Sequence, residues 1–182
     1  SVNPPVVRAS TIIFKSMQDI RKTQKKYKID PTGGYFDYGR QGTSTTHILQ
    51  KILTKLEESY HVFLTPTGFG SVFLGIFSIV RPGDEILVSD PVYSPTRLLT
   101  QDYLKDFNIK TVFYDPHNLD SIKEKINKKT KMIFVECPGS NSFEFQDLSK
   151  IISIAKKNKL FTAIDNTWAT PYFLKPIKLG FD

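Results

Sequence analysis

The chain has 182 residues, 40% of them hydrophobic and 24% charged, which is the composition of one globular domain with a sizeable core. No apolar run approaches the ~20 residues of a membrane span, and no charged leader followed by an apolar stretch opens the chain, so we expect no membrane partner and no secretion signal. The net charge of +7 comes from lysines spread along predicted helices, without a compact basic block, which disfavours a nucleic-acid partner.

The cysteine content and the two ends bear on the setting of the protein. Cys137 is the only cysteine, so no internal disulfide is expected, which fits a reducing, cytoplasmic location. The chain begins at Ser1 without an initiator methionine and closes on Gly180-Phe181-Asp182 without a tail. We therefore expect the sequence to be a piece of a longer polypeptide.

The first part of the chain lacks a sustained hydrophobic period. Residues 1–43 are rich in proline and glycine and are predicted to form an extended arm with one short helix near Ser16–Tyr27. From Ser44 onward apolar residues recur at helical spacing, and Ser44 is the expected N-cap of that helix. The sequence thus predicts an arm over 1–43 and a large domain over 44–182.

Short apolar runs then alternate with amphipathic segments. Buried strands are predicted at 61–64, 85–89, 109–114, 131–136 and 160–165, and helices at 69–80, 95–106, 119–128 and 147–158, the last with Asp147 as its N-cap. This alternation indicates an α/β fold with a mostly parallel sheet covered by helices on both faces. In such sheets ligands bind at the carboxyl ends of the strands, so the residues that follow each strand are the candidates for function.

A glycine turn opens the predicted helix at 69–80, in the segment Thr65-Pro66-Thr67-Gly68-Phe69-Gly70-Ser71. Free N–H groups and the dipole at that helix end favour an anion such as a phosphate. The segment matches neither a Walker loop nor a dinucleotide fingerprint. A tight strand-to-helix connection with no ligand is the alternative.

Three further segments follow strands or lie in irregular chain. Asp165 ends an apolar strand, so it either caps a turn or faces a cationic ligand. Tyr93 follows the strand at 85–89 and can stack on a flat ring or transfer a proton, unless it is merely half-buried at a helix start. Ser140 lies in Glu136-Cys137-Pro138-Gly139-Ser140-Asn141, which either reaches a ligand oxygen or is a simple loop.

Arg40 lies between glycines in Tyr38-Gly39-Arg40-Gln41-Gly42 and is suited to bidentate phosphate binding, with an exposed surface turn as the alternative. The histidines, His47, His61 and His117, show no metal-ligand spacing, so no metal is expected.

The order of these motifs resembles the cystathionine lyase and synthase family of pyridoxal 5'-phosphate (PLP) enzymes. The resemblance runs from the arm Val2-Asn3-Pro4-Pro5 through the motifs around Tyr38, Gly68, Tyr93 and Ser140 to Asp165-Asn166-Thr167-Trp168. Within that family, Pro138-Gly139-Ser140 and Trp168 are more similar to the bacterial cystathionine β-lyases, whereas γ-synthases and γ-lyases usually have asparagine and phenylalanine at the positions of Ser140 and Trp168. The resemblance implies the large domain of a fold-type-I, aspartate-aminotransferase-like PLP enzyme, incomplete at its C-terminus.

Roles follow from the resemblance position by position. Gly68 and Phe69 would offer N–H groups to the cofactor phosphate, and Tyr38 and Arg40 would reach the phosphate of a neighbouring subunit, which implies a homo-oligomer, expected to be a tetramer built from dimers. Tyr93 would stack on the pyridine ring, and Tyr93 and Tyr38 are the catalytic candidates. The remaining cofactor contacts implied are Ser140, Asp165 and Thr167.

The implied reaction is β-elimination of cystathionine to homocysteine, pyruvate and ammonia, a step of methionine biosynthesis. The family's Schiff-base lysine stands in a Ser-x-Thr-Lys pattern that does not occur here, and we expect the piece alone to be inactive. The alternatives are a cystathionine γ-lyase or γ-synthase, a non-catalytic remnant of a split or decayed gene, and an unrelated nucleotide-binding α/β module.

Overall fold

The structure, a computed structural model, describes residues 3–182, and the start of the arm at Val2 lies outside the described residues. The chain divides into two compact units, Ser1–Leu64 and Thr65–Asp182. Within the described residues, no helix has the length and apolar character needed to cross a bilayer. The boundary expected at 43/44 between an arm and a large domain stays a prediction.

The first unit consists of two helices joined by irregular chain. Helix α1 spans Met17–Ile29, a short 3₁₀ turn covers Gly39–Gln41, and α2 spans Ser44–Glu57. Ser16 caps α1 because its side chain accepts a hydrogen bond from the Asp19 N–H. The short helix expected in this region is therefore present and two residues longer than predicted at its C-terminal end.

Two expectations for this unit are wrong. Ser44 is the first residue of α2 and not its N-cap, because Thr43 has the extended backbone of a cap and donates its N–H to Thr46 Oγ1 at 2.9 Å. Residues 61–64 form no strand: the segment is irregular, and Phe63 is 76% exposed. The segment has three apolar residues between His61 and Thr65-Pro66, which is too short a run to distinguish a strand from irregular chain.

The second unit is a parallel α/β sheet. Its strands lie in the order β2-β1-β3-β4, and every neighbouring pair is parallel. The strands are β1 (Glu85–Ser89), β2 (Lys110–Tyr114), β3 (Thr130–Glu136) and β4 (Phe161–Asp165). The helices are α3 (Gly68–Ile79), α4 (Ser94–Leu98), a π-helical segment (Leu99–Tyr103), α5 (Leu104–Asp106), α6 (Asp120–Lys125), α7 (Leu148–Lys157), α8 (Thr170–Phe173) and α9 (Pro176–Leu179). The four strands predicted in this unit are confirmed within one residue at each end.

The core lies on both faces of this sheet. Alternate residues of a strand point to opposite faces. Accordingly, Leu87 packs in one buried cluster with Ile151 of α7 and Ile122 of α6, whereas Val88 packs in a second cluster with Ile76 of α3. Helices thus cover both faces, as the alternating pattern predicts. The helix expected at 95–106 is present as α4, the π-helical segment and α5 in succession.

Candidate functional site

The carboxyl ends of the parallel strands bring the polar residues of the second unit together. In the register of the sheet, Glu136 at the end of β3 is paired with Asp165 at the end of β4. Ser89 at the end of β1 is likewise paired with Tyr114 at the end of β2. The segments after β1 and β3 are joined at the same edge, because the Ser140 N–H donates to the Pro91 carbonyl at 2.7 Å. This edge is the candidate site.

The N-terminus of α3 is built to accept an anion. Thr67 is the N-cap and accepts the Gly70 N–H at 3.0 Å, so the cap is fixed by its own helix. The N–H groups of Gly68 and Phe69 lie in the first turn, where no intrahelical acceptor exists. A Cβ added at Gly68 would meet no atom within 4 Å, so there is open space beside the Gly68 Cα. The geometry fits a phosphate group held by backbone N–H groups.

Asp165 presents an oriented carboxylate at the end of β4. Its Oδ1 accepts the Thr167 N–H at 3.0 Å and the Thr167 hydroxyl at 2.5 Å. In the described part of the chain both of these bonds fall on Oδ1, which leaves Oδ2 for a cationic N–H donor. Thr167 therefore fixes the orientation of the Asp165 carboxylate. This arrangement suits a protonated ring nitrogen.

Tyr93 has an exposed ring on a fixed backbone. The residue precedes α4, and 46% of its surface is exposed, so a flat ligand can stack on it. Its N–H donates to Glu136 Oε2 at 2.6 Å. Burial raises the pKa of Glu136 to about 7, against the lowering effect of the Tyr93 N–H, and the nearby Asp165 carboxylate raises it further.

A buried polar network lies behind these residues. The Glu136 N–H donates to Ser89 Oγ at 3.1 Å, and the Glu136 carbonyl accepts the Gln146 side-chain amide at 2.9 Å. Gln146 in turn accepts the Tyr114 hydroxyl at 3.0 Å, and burial raises the pKa of Tyr114 far above its usual range, so the phenol stays protonated. Sequence patterns did not single out Glu136 or this network, although a glutamate ending an apolar strand is a signal that could have found it.

The predicted residues of the first unit have a geometry of their own. The Arg40 guanidinium lies over the Tyr38 ring at 5.5 Å from its centroid. The Gly39 N–H donates to the Ser10 carbonyl at 2.7 Å, and a side chain at Gly39 would clash with the Ala9 carbonyl oxygen. Glycine at this position therefore lets the turn carrying Tyr38 and Arg40 lie directly on the chain at Ala9 and Ser10.

Over residues 3–182 no group of three or more histidine, cysteine, aspartate or glutamate side chains is placed to hold an ion. His47 instead packs edge-on against Phe36, with 5.9 Å between ring centroids.

The chain is similar in fold to two solved structures of known class. A structure from Campylobacter jejuni that contains N'-pyridoxyl-lysine-5'-monophosphate superposes with a TM-score of 0.87 at 28% identity, over 100% of this chain and 44% of that one. A cystathionine γ-lyase from Lactobacillus plantarum, in complex with L-serine, has a TM-score of 0.83 at 28% identity, over 98% of this chain and 43% of that one. The fold is that of a PLP-dependent enzyme.

The sequence profile of the family described as Cys/Met metabolism PLP-dependent enzyme matches residues 1–182, and the chain belongs to that family. PLP is therefore its cofactor. The chain is 34% identical to a cystathionine β-lyase of Haemophilus influenzae over 185 residues, covering 100% of this chain and 46% of that protein. It is 32% identical to an L-alanine/L-glutamate racemase of Wolbachia pipientis (100% and 46%) and 30% identical to an L-methionine γ-lyase of Fusobacterium nucleatum (98% and 44%). The chain thus spans about half the length of these relatives.

Proposed function

We propose that the full-length protein is a PLP-dependent carbon–sulfur lyase that cleaves cystathionine by β-elimination to homocysteine, pyruvate and ammonia, in methionine biosynthesis. The observation that carries this proposal is the segment Pro138-Gly139-Ser140 together with Trp168, both of the β-lyase type. Trp168 packs edge-on against Phe143, with 4.9 Å between ring centroids, so Trp168 contacts the loop that follows Ser140. The similarity to a cystathionine β-lyase at 34% identity supports the same reaction.

We further propose how the second unit holds the cofactor. The N–H groups of Gly68 and Phe69 bind its phosphate, Tyr93 stacks on its ring, and Asp165, oriented by Thr167, accepts the ring N–H. Ser140 lines the rim. When bound, PLP supplies an electron sink that stabilises negative charge at the substrate Cα. The open space beside Gly68 and the orientation of the Asp165 carboxylate by Thr167 support this assignment.

Tyr38 and Arg40 are proposed to act in a neighbouring subunit of a homo-oligomer, which we expect to be a tetramer built from dimers. An arginine that is held against a tyrosine ring in an irregular turn suits phosphate binding in this role. Tyr93 and Tyr38 are the candidate proton carriers, because a phenol both donates and accepts hydrogen bonds.

The lysine that bonds covalently to the cofactor is not assigned within residues 1–182. We propose that this lysine, and the arginine that binds the substrate carboxylate, are supplied by the part of the full-length protein outside these residues. The relatives that the chain matches are about twice as long, which supports this division. A cytoplasmic location is proposed for the same protein.

The test is to incubate full-length protein and PLP with cystathionine and identify the products. Pyruvate with homocysteine is expected. The appearance of 2-oxobutanoate as the main product would assign a γ-lyase and contradict the proposal. A parallel assay with L-alanine tests the racemase alternative raised by the Wolbachia relative. No turnover of any of these substrates, with PLP bound or not, would favour a non-catalytic remnant.

A further inference from the structure

Glu136 is a buried carboxyl group at the centre of the candidate site, and no role in the proposed function uses it. Only 4% of its surface is exposed. A buried carboxyl group is costly unless it is paired or hydrogen-bonded. Its Oε2 accepts one backbone N–H, that of Tyr93, at 2.6 Å. The side chain of Glu136 thus fixes the backbone of Tyr93, the residue that we propose stacks on the cofactor.

The backbone of Glu136 is fixed on two sides. Its N–H donates to Ser89 on β1, and its carbonyl accepts the Gln146 amide. Gln146 is held in turn by the Tyr114 hydroxyl at the end of β2. The carboxyl group is therefore attached to a rigid support, and its position relative to Tyr93 is set by three strands of the sheet.

The charged neighbour of Glu136 is Asp165. The two residues are register partners at the ends of adjacent parallel strands, which lie about 4.8 Å apart. The negative charge of Asp165 disfavours ionisation of Glu136 and helps to raise its pKa. Titratable groups near this edge also include Cys137 and Tyr114, whose pKa values are both raised by burial, Asp90, which is paired with Arg97 at 2.6 Å, and Glu144, whose carbonyl accepts the Gly139 N–H at 2.9 Å.

We propose that Glu136 is a positioning residue for the cofactor site: its carboxylate fixes the Tyr93 backbone through one hydrogen bond and places a second negative charge beside Asp165. The ionised form accepts the Tyr93 N–H more strongly than the neutral form does. It also strengthens the negative potential that holds a cationic ring nitrogen at Asp165. Both effects favour cofactor binding, and both are lost when Glu136 is protonated.

This inference rests on the proposed placement of the cofactor, and the test keeps the two separable. In full-length apo-protein, infrared titration follows the C=O stretch of protonated carboxyl groups. The band that Glu136→Gln removes is expected to titrate near pH 7 in the wild type. In Asp165→Asn its midpoint is expected to move to lower pH by about 0.5–1 unit, because the neighbouring negative charge is gone.

The second measurement is the Kd for PLP as a function of pH. Wild-type affinity, relative to Glu136→Gln, is expected to rise about threefold to tenfold as pH increases through neutrality. Glu85→Gln is the matched control. Glu85 is also a buried glutamate, but its carboxylate accepts hydrogen bonds from the Asn127 and Thr130 side chains at the opposite edge of the sheet. We expect this control to keep the wild-type pH profile.

Identical pH profiles for wild type and Glu136→Gln, or an unmoved infrared midpoint in Asp165→Asn, would overturn the inference. Failure of the wild type to bind PLP would overturn the proposed cofactor site instead, and the infrared titration would still decide whether Glu136 and Asp165 are coupled. If Glu136→Gln does not fold, the band is assigned as the carboxyl band near pH 7 whose midpoint moves to lower pH in Asp165→Asn, and the absence of any band that moves in this way would overturn the inference.

Discussion

The pH dependence of stability should change when Glu136 is replaced by glutamine. The pKa of Glu136 is raised by burial from 4.5 to about 7 in the folded chain. Because the folded state then binds the proton more tightly than the unfolded state, the stability contributed by neutral Glu136 is fully present below pH 4.5 and is lost as pH rises to about 7. At about 1.4 kcal/mol per pKa unit, the loss amounts to about 3 kcal/mol above neutrality.

Glu136→Gln keeps the size of the side chain and an acceptor oxygen but cannot ionise. We expect the difference in free energy of unfolding between wild type and variant to change by about 2–3 kcal/mol between about pH 5 and about pH 8, in favour of the variant at high pH. Urea unfolding of the full-length apo-protein, followed by circular dichroism across this range, measures that difference.

A control variant separates the carboxyl group from the network around it. Ser89→Ala removes the acceptor of the Glu136 N–H but leaves the carboxyl group in place. It should lower stability by about 1 kcal/mol at every pH and keep the wild-type slope. Parallel wild-type and Glu136→Gln curves over the whole range would refute the reasoning, because the buried carboxyl group would then ionise without cost.

Variants at three further positions test the site at Thr167, the cap of α7 and the turn at Gly39. Thr167→Val removes the hydroxyl that donates to Asp165 and should raise the Kd for PLP about threefold to tenfold. Thr167→Ser keeps the hydroxyl and should bind PLP as the wild type does. Equal affinity of the two variants for PLP would show that the hydroxyl does not orient the carboxylate. Asp147→Ala removes the cap of α7 and should cost about 1 kcal/mol in urea unfolding with no change in PLP affinity. Gly39→Ala forces a methyl group against the Ala9 carbonyl and should cost about 1–3 kcal/mol by the same measurement, and an unchanged stability would contradict the close approach described for this turn.

The central strands of the second unit, β1 and β3, were predictable because they are buried on both sides. β1 reads Glu-Ile-Leu-Val-Ser and is fully buried along its length, so periodicity and burial agree. Asp147 was predicted as the cap of α7 for a local reason, since its side chain accepts the Lys150 N–H three residues later. Where structure follows from local pattern, sequence was sufficient.

What the sequence did not reveal depends on one long-range contact and on two local features that the pattern left ambiguous. The bond between Glu136 and the Tyr93 N–H joins residues that are 43 positions apart, and no local pattern encodes it. The prediction of a strand at 61–64 was wrong because a run of three apolar residues after His61 is too short to identify a strand. The N-cap of α2 is Thr43 and not the predicted Ser44, because the hydroxyl of Thr46, three residues further on, accepts the Thr43 N–H.

Some residues of the candidate site were predictable from the sequence, and others required the structure. The glycine turn at Gly68 and the acid at Asp165 were predicted because each sits directly at the end of an element, where ligand-binding groups collect. The role of Thr167 in orienting Asp165 is a contact between residues two positions apart, but choosing it over other turn conformations needed the structure. The network of Ser89, Gln146 and Tyr114 required the register of the sheet and could not be derived from spacing.

The placement of the cofactor against Asp165 is tested most directly by the Kd of the full-length protein for PLP in Asp165→Asn, with Asp147→Asn as an acid-to-amide control outside the site. The account predicts a Kd about tenfold or more above that of the wild type for Asp165→Asn, because a charged acceptor facing the ring nitrogen is replaced by a neutral one, and no change for the control. Wild-type affinity in Asp165→Asn would contradict the account.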